Sequence, residues 1–105
     1  MLNFNKTFSV NIGNNKYKKV KGSPYYSRDL HRALFIHADT DNDKQTSVSD
    51  EITGYRLFNL TQKCDKIKEE DIEVKLQEYI KHYTIPAIEE EFNRVEKLIT
   101  EAVKK

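Results

Sequence analysis

The stretch DTDNDKQTSVSDE at positions 39–51 is the first place to look for metal chemistry. Acids alternate at Asp39, Asp41 and Asp43, and Asp50 and Glu51 follow at the end. An EF-hand loop sets oxygens at positions 1, 3, 5, 7, 9 and 12, because calcium is a hard cation that takes about 6–8 oxygen ligands. Counted from Asp39, the ligands of an EF-hand-like calcium-binding module would be Asp39, Asp41, Asp43, Gln45 and Asp50, with Ser47 at position 9. Three letters argue against it. Lys44 stands where the loop needs a glycine for its sharp turn, Thr46 replaces a branched apolar residue, and Asp50 replaces the bidentate glutamate. The same residues serve a plainer purpose. Thr46, Ser47 and Ser49 are good helix N-caps, and Asp50 and Glu51 suit the first turn of a helix through its dipole. The favoured expectation is a helix–loop–helix connection without a metal.

Other reactive groups are scattered. His31 and His37 lie six residues apart, a poor spacing for chelation on one helix. Cys64 is the sole cysteine, which excludes an internal disulfide and suggests a buried, inert thiol. The three glycines leave little room for a phosphate-binding loop, and no nucleophile stands beside a plausible base in the sequence. The expectation is a protein that is not an enzyme and has no cofactor.

The elements that must position any site follow from length, charge and periodicity. A chain of 105 residues predicts one domain over 1–105, with a β-hairpin region at 1–26 and a helical region at 27–105. Charged residues make up 33% and apolar residues 37%, which implies a modest core under a charged surface. No apolar run is long enough for a membrane span, and the N-terminus lacks the order of a signal peptide, so a cytoplasmic setting is expected. The net charge of +1 is unevenly placed. Residues 1–38 hold seven basic side chains against Asp29, or +6, which leaves −5 for the rest. Such asymmetry steers an oppositely charged partner.

Leu2, Phe4, Phe8, Val10 and Ile12 fall on even positions, the period of a half-buried strand. Gly13, Asn14 and Asn15 signal a turn, and KYKKVKG returns as the second strand. Its lysines suit an exposed edge, and with Tyr17 they also resemble a nucleic-acid patch. The near-neutral whole favours the edge, so direct nucleic-acid binding is not expected. Helices are then predicted over about 28–38, capped by Ser27, and over about 48–63. A third starts near Glu69 with Ile72, Leu76, Tyr79, Ile80 and Tyr83 on one face. A fourth starts around Ile85, with Pro86 tolerated in its first turn. The fold class expected is α+β, an N-terminal β-hairpin followed by three to four helices packed as a small bundle. The last helix carries a long apolar stripe, in which Ile88, Phe92, Val95 and Ile99 are the candidate partner-binding residues. It suits a protein partner or a second copy of the chain.

The order of parts, with KYKKVKGSPYYSRDLHRAL followed later by DIEVKLQEYIKHYTIPAIEEEF, resembles the short tail assembly chaperones of long-tailed bacteriophages of Gram-positive hosts. Ser27, Arg28, Asp29, Leu30 and Arg32 match the family's segment that opens its first helix, and Tyr83, Thr84 and Ile85 match its later turn. The likeness spans residues 2–92 and departs at Pro86 and in the long last helix. It implies a non-enzymatic protein in the bacterial host cell that binds tail tube or tape measure subunits before assembly, with Arg28 and Arg32 near the contact. The alternative is a small phage or mobile-element inhibitor of a nucleic-acid-handling protein, whose acidic faces around 65–78 and 89–101 would mimic phosphate.

Overall fold

The computed structural model describes residues 2–13, 16–42 and 44–103, with side chains through Ile99. Asn14 and Asn15 of the expected turn, Asp43 of the acidic loop and the terminal Lys104 and Lys105 lie outside the described residues. The chain forms a five-stranded antiparallel meander and then two helices. The strands are β1 (Lys6–Gly13), β2 (Lys16–Ser27), β3 (Arg32–Ala38), β4 (Thr46–Asp50) and β5 (Arg56–Leu60), and the helices are α1 (Glu69–Tyr83) and α2 (Ile85–Val103).

The class is α+β, but the expected bundle of three to four helices is corrected. The segments read as helices over 28–38 and 48–63 are β3, β4 and β5 with their turns. Their disguise has a physical cause. Leu34, Phe35, Ile36 and His37 are all buried, so β3 has apolar groups on both faces and shows no alternation of polar and apolar residues. A short run buried on both sides is indistinguishable from a helix by periodicity. β4 misleads in the other direction, because its sequence TSVSD is polar and yet every residue is buried. Ser27 does cap, but it caps a turn. Its hydroxyl accepts from the Leu30 N–H at 3.2 Å, and His31 at φ 50° completes the reversal into β3.

Successive residues of β3 feed two cores. Leu34 and Ile36 join Val48, Leu60, Ile67 and Ile72 under α1. Phe35 points to the other face and meets Phe8 and Val10. Phe8 stacks on Phe35 with ring centroids 4.4 Å apart, although β2 separates their strands. The sheet must therefore curl, and two glycines allow it. A Cβ on Gly22 would stand 2.7 Å from the Ile36 carbonyl, so glycine is needed where β2 starts to pair with β3. Gly54 has φ +76°, and a Cβ on it would meet the Ser9 carbonyl at 2.8 Å. Its carbonyl accepts from the Asn11 N–H at 2.8 Å, which ties β1 to the turn before β5.

The expected third and fourth helices are present as α1 and α2. Asp71 accepts from the Lys68 N–H at 3.0 Å at the start of α1, where Glu69 and Glu70 also oppose the helix dipole. Ile72 and Leu76 are its buried residues. Each such side chain contributes about 1.5–3 kcal/mol on burial. Thr84, at φ 66°, breaks the helical path before α2 begins. Leu30, Leu76, Ile88 and Phe92 form the core between the sheet and the two helices. Among the described residues no helix is long and apolar enough to cross a membrane.

Candidate protein-binding surfaces

The acidic loop joins β3 to β4 and so links two strands, which corrects the helix–loop–helix expectation. Asp39 is buried, and its carboxylate accepts from Arg56 Nη1 at 3.2 Å, Asn59 Nδ2 at 3.3 Å and the Asp41 N–H at 3.3 Å. Gln45 uses its backbone carbonyl to accept from the Asp39 N–H at 3.0 Å. Asp50 lies at the far end of β4, paired in register with Leu34, whereas Thr46 at the near end pairs with Ala38. At about 3.4 Å per residue the strand sets Asp50 roughly 14 Å from the loop. Its carboxylate serves Arg32 and Thr53 instead. Asp39 and Asp50 thus belong to two separate polar clusters.

The cluster around Asp50 fixes α2 to the sheet. Arg32 donates from Nε to Asp50 Oδ1 at 2.7 Å, and from Nη2 to Asp50 Oδ2 at 2.8 Å and to Glu96 Oε1 at 2.5 Å. Its guanidinium carbon lies 4.1 Å from the centroid of the Phe92 ring. Hydrogen bonding to Asp50 raises the Arg32 pKa further above its ordinary value, against the opposing effect of burial. Asp50 also accepts from the Thr53 N–H and hydroxyl. Arg32, expected near a partner, is therefore engaged within the fold. Arg28 stands apart in the exposed β2–β3 turn.

The stripe of α2 is divided by the packing. Ile88, Phe92 and Val95 are buried, Ile99 is half-buried and Leu98 is exposed. The structure brings Ile88 and Phe92 together with Leu30 and Leu76 inside the protein. The stripe looked long in the sequence because its function as core could not be seen without β3 and α1 beside it.

The inner face of the curled sheet holds a second polar cluster. His37 Nδ1 donates to the Ala38 carbonyl at 2.8 Å, so in the neutral ring Nε2 accepts from the Ser49 hydroxyl, also at 2.8 Å. Burial lowers the His37 pKa. His37, Asp39, Ser47 and Arg56 line a cavity of about 310 Å³ with Asn11, whose buried Nδ2 has no hydrogen-bond partner among the described residues. On the other face Cys64 accepts from the Thr46 hydroxyl at 3.5 Å, and burial pushes its thiol pKa up.

The most open charged surface is the far part of the β1–β2 hairpin. β2 pairs with β3 from Gly22 onward, whereas Lys16–Lys21 pair with β1 alone. The segment expected at a sheet edge is thus the free arm of a strand whose other half is central. Lys16, Lys18, Lys19 and Lys21 are exposed, and among the described residues no ion pair engages them. Beside them Ile12 and Tyr17 are 52% and 45% exposed. A cleft of about 600 Å³ is lined by Lys18, Lys21, Asp39 and Asp41. The clustered lysines were visible in the sequence. Their place beside Ile12 and the cleft required the hairpin register. No family model, curated protein or solved structure matches this chain.

Proposed function

We propose that the protein is a non-enzymatic binding module that takes an acidic protein partner on its basic hairpin arm. The observation that supports this most is the run of exposed lysines Lys16, Lys18, Lys19 and Lys21, with Tyr17 exposed among them and Ile12 exposed on the paired strand. Desolvating an apolar and aromatic centre inside a charged rim is how protein interfaces gain most of their affinity. Exposed Ile12 favours a protein over a nucleic acid, because an aliphatic side chain gains little from a phosphate backbone. A tail tube or tape measure subunit, the partner class implied by the likeness to tail assembly chaperones, is the particular partner proposed. It would be held on the arm until assembly.

Calorimetric titration tests the reading with two probes, an acidic peptide of alternating glutamate and valine and a duplex DNA oligonucleotide. The peptide is expected to bind, to weaken with added salt, and to be lost on Lys18→Glu with Lys19→Glu. Tighter binding of the duplex would assign the arm to nucleic acid. Absence of binding by either probe would remove the arm as a docking surface.

A further inference from the structure

The β2 arm and the edge strand β5 are built differently. Along β2 the free arm carries lysines, which repel a neighbouring strand. β5, the last strand of the sheet, reads RLFNL and among the described residues pairs with β4 only. Its one charge, Arg56, is engaged with Asp39, and it contains no lysine and no proline. An edge of this composition is a template for another strand unless something covers it.

What lies beside the edge is a groove. Two hollows of about 270 and 400 Å³ run between β5 and α1, and both are lined by Lys75 and Glu78. Phe58 on the strand and Tyr79 on the helix face one another with centroids 5.4 Å apart, and Tyr83 continues the row at 5.0 Å from Tyr79. Val74 and Tyr83 are 61% and 53% exposed. The five residues of β5 extend about 17 Å.

We infer that a second copy of this chain docks here, by antiparallel pairing of β5 with β5 about a two-fold axis at Phe58. The strand is complementary to itself in that register. Phe58 meets its own counterpart, Leu57 meets Asn59, and Arg56 meets Leu60, so no like charges face each other. Aromatic pairs across antiparallel strands are favourable. The helix beside the strand shares the complementarity. Lys75 and Glu78 line the same hollow as Phe58, so an axis through Phe58 brings Lys75 of each copy towards Glu78 of the other. A single surface that carries both halves of its own charge pair is what an isologous interface requires. Within one copy the two side chains form an exposed pair at 3.7 Å, which is weak enough to exchange partners.

The test is the association state of the full chain by sedimentation equilibrium, read with charge variants of α1. The wild type is expected to dimerise reversibly. Glu78→Lys sets lysines against each other twice across the axis and is expected to weaken the dimer at least tenfold, or about 1.4 kcal/mol. Adding Lys75→Glu restores the pairs with their signs exchanged and is expected to restore the dimer. Circular dichroism confirms folding, and should Glu78→Lys fail to fold, Lys75→Glu alone poses the same question. A wild type that stays monomeric at every concentration overturns the inference and leaves the groove to a foreign extended segment. A dimer indifferent to Glu78→Lys, or not restored by the double exchange, overturns it as well.

Discussion

Arg32 grips Asp50 with two parallel hydrogen bonds, at 2.7 and 2.8 Å, while its other side covers the ring of Phe92. One guanidinium thereby joins β3, β4 and α2. Planar delocalised charge suits this position, because it satisfies a carboxylate at its edge and an aromatic ring on its face.

Removing that guanidinium has a defined consequence. Arg32→Ala leaves the Asp50 carboxylate fully buried, with Thr53 the only residue among those described that still donates to it. Breaking one side of a buried pair costs about 3–5 kcal/mol. Urea denaturation is expected to show a loss of that size, with α2 signals lost first. Arg28→Ala, in the exposed turn, is expected to leave the midpoint where it is.

His37 predicts a dependence on pH. Its folded pKa is below the ordinary value near 6.5 because the ring is buried. As pH falls through about 6.5, the unfolded chain takes up a proton that the folded chain refuses, so stability drops. The contribution is fully present above that pH and fades towards the lower folded pKa. Unfolding midpoints measured between about pH 7.5 and pH 5.5 should fall with acid, and His37→Asn should flatten the slope. A slope unchanged in the variant would place the effect elsewhere.

Gly54 closes the curl of the sheet. Gly54→Ala forces a Cβ to within 2.8 Å of the Ser9 carbonyl at a positive φ. Strain of this kind costs about 1–3 kcal/mol. Amide exchange at Asn11, whose N–H donates to the Gly54 carbonyl, is expected to accelerate in the variant beyond the global loss of stability.

Calcium should leave the melting temperature unchanged. The carboxylate of Asp39 is held by Arg56 and Asn59, and that of Asp50 by Arg32 at the opposite end of β4. A ligand present at a hundred times its dissociation constant would add about 2.7 kcal/mol. A calcium-dependent rise in melting temperature, lost on Asp39→Ala, would contradict the assignment of these acids to separate clusters.

Parts of this fold are legible in the sequence. The even spacing of Phe8, Val10 and Ile12 marks β1, and the 3.6-residue spacing of Ile72, Leu76, Tyr79 and Tyr83 marks α1. Both elements bury one face, so their patterns reflect their surroundings. β3 and β4 sit in the middle of the sheet with both faces covered, and there the pattern vanishes. Thr46, Ser47 and Ser49 are polar and buried because Gln62, Asn59 and His37 supply their hydrogen bonds. Those partners come from 12 to 16 residues away, beyond the reach of local periodicity. The lysines of the arm were readable as a cluster, but their neighbours in the cleft were set by the same long-range pairing.

The hairpin arm, and not the C-terminal helix, is expected to receive the partner. The most direct measurement is an amide spectrum of the labelled protein during titration with the acidic peptide. Signals of Ile12 and Tyr17–Lys21 are predicted to shift, while those of Ile88, Phe92 and Val95 stay in place. Shifts concentrated between Ile88 and Ile99, with the arm unmoved, would contradict the account and return the binding surface to α2.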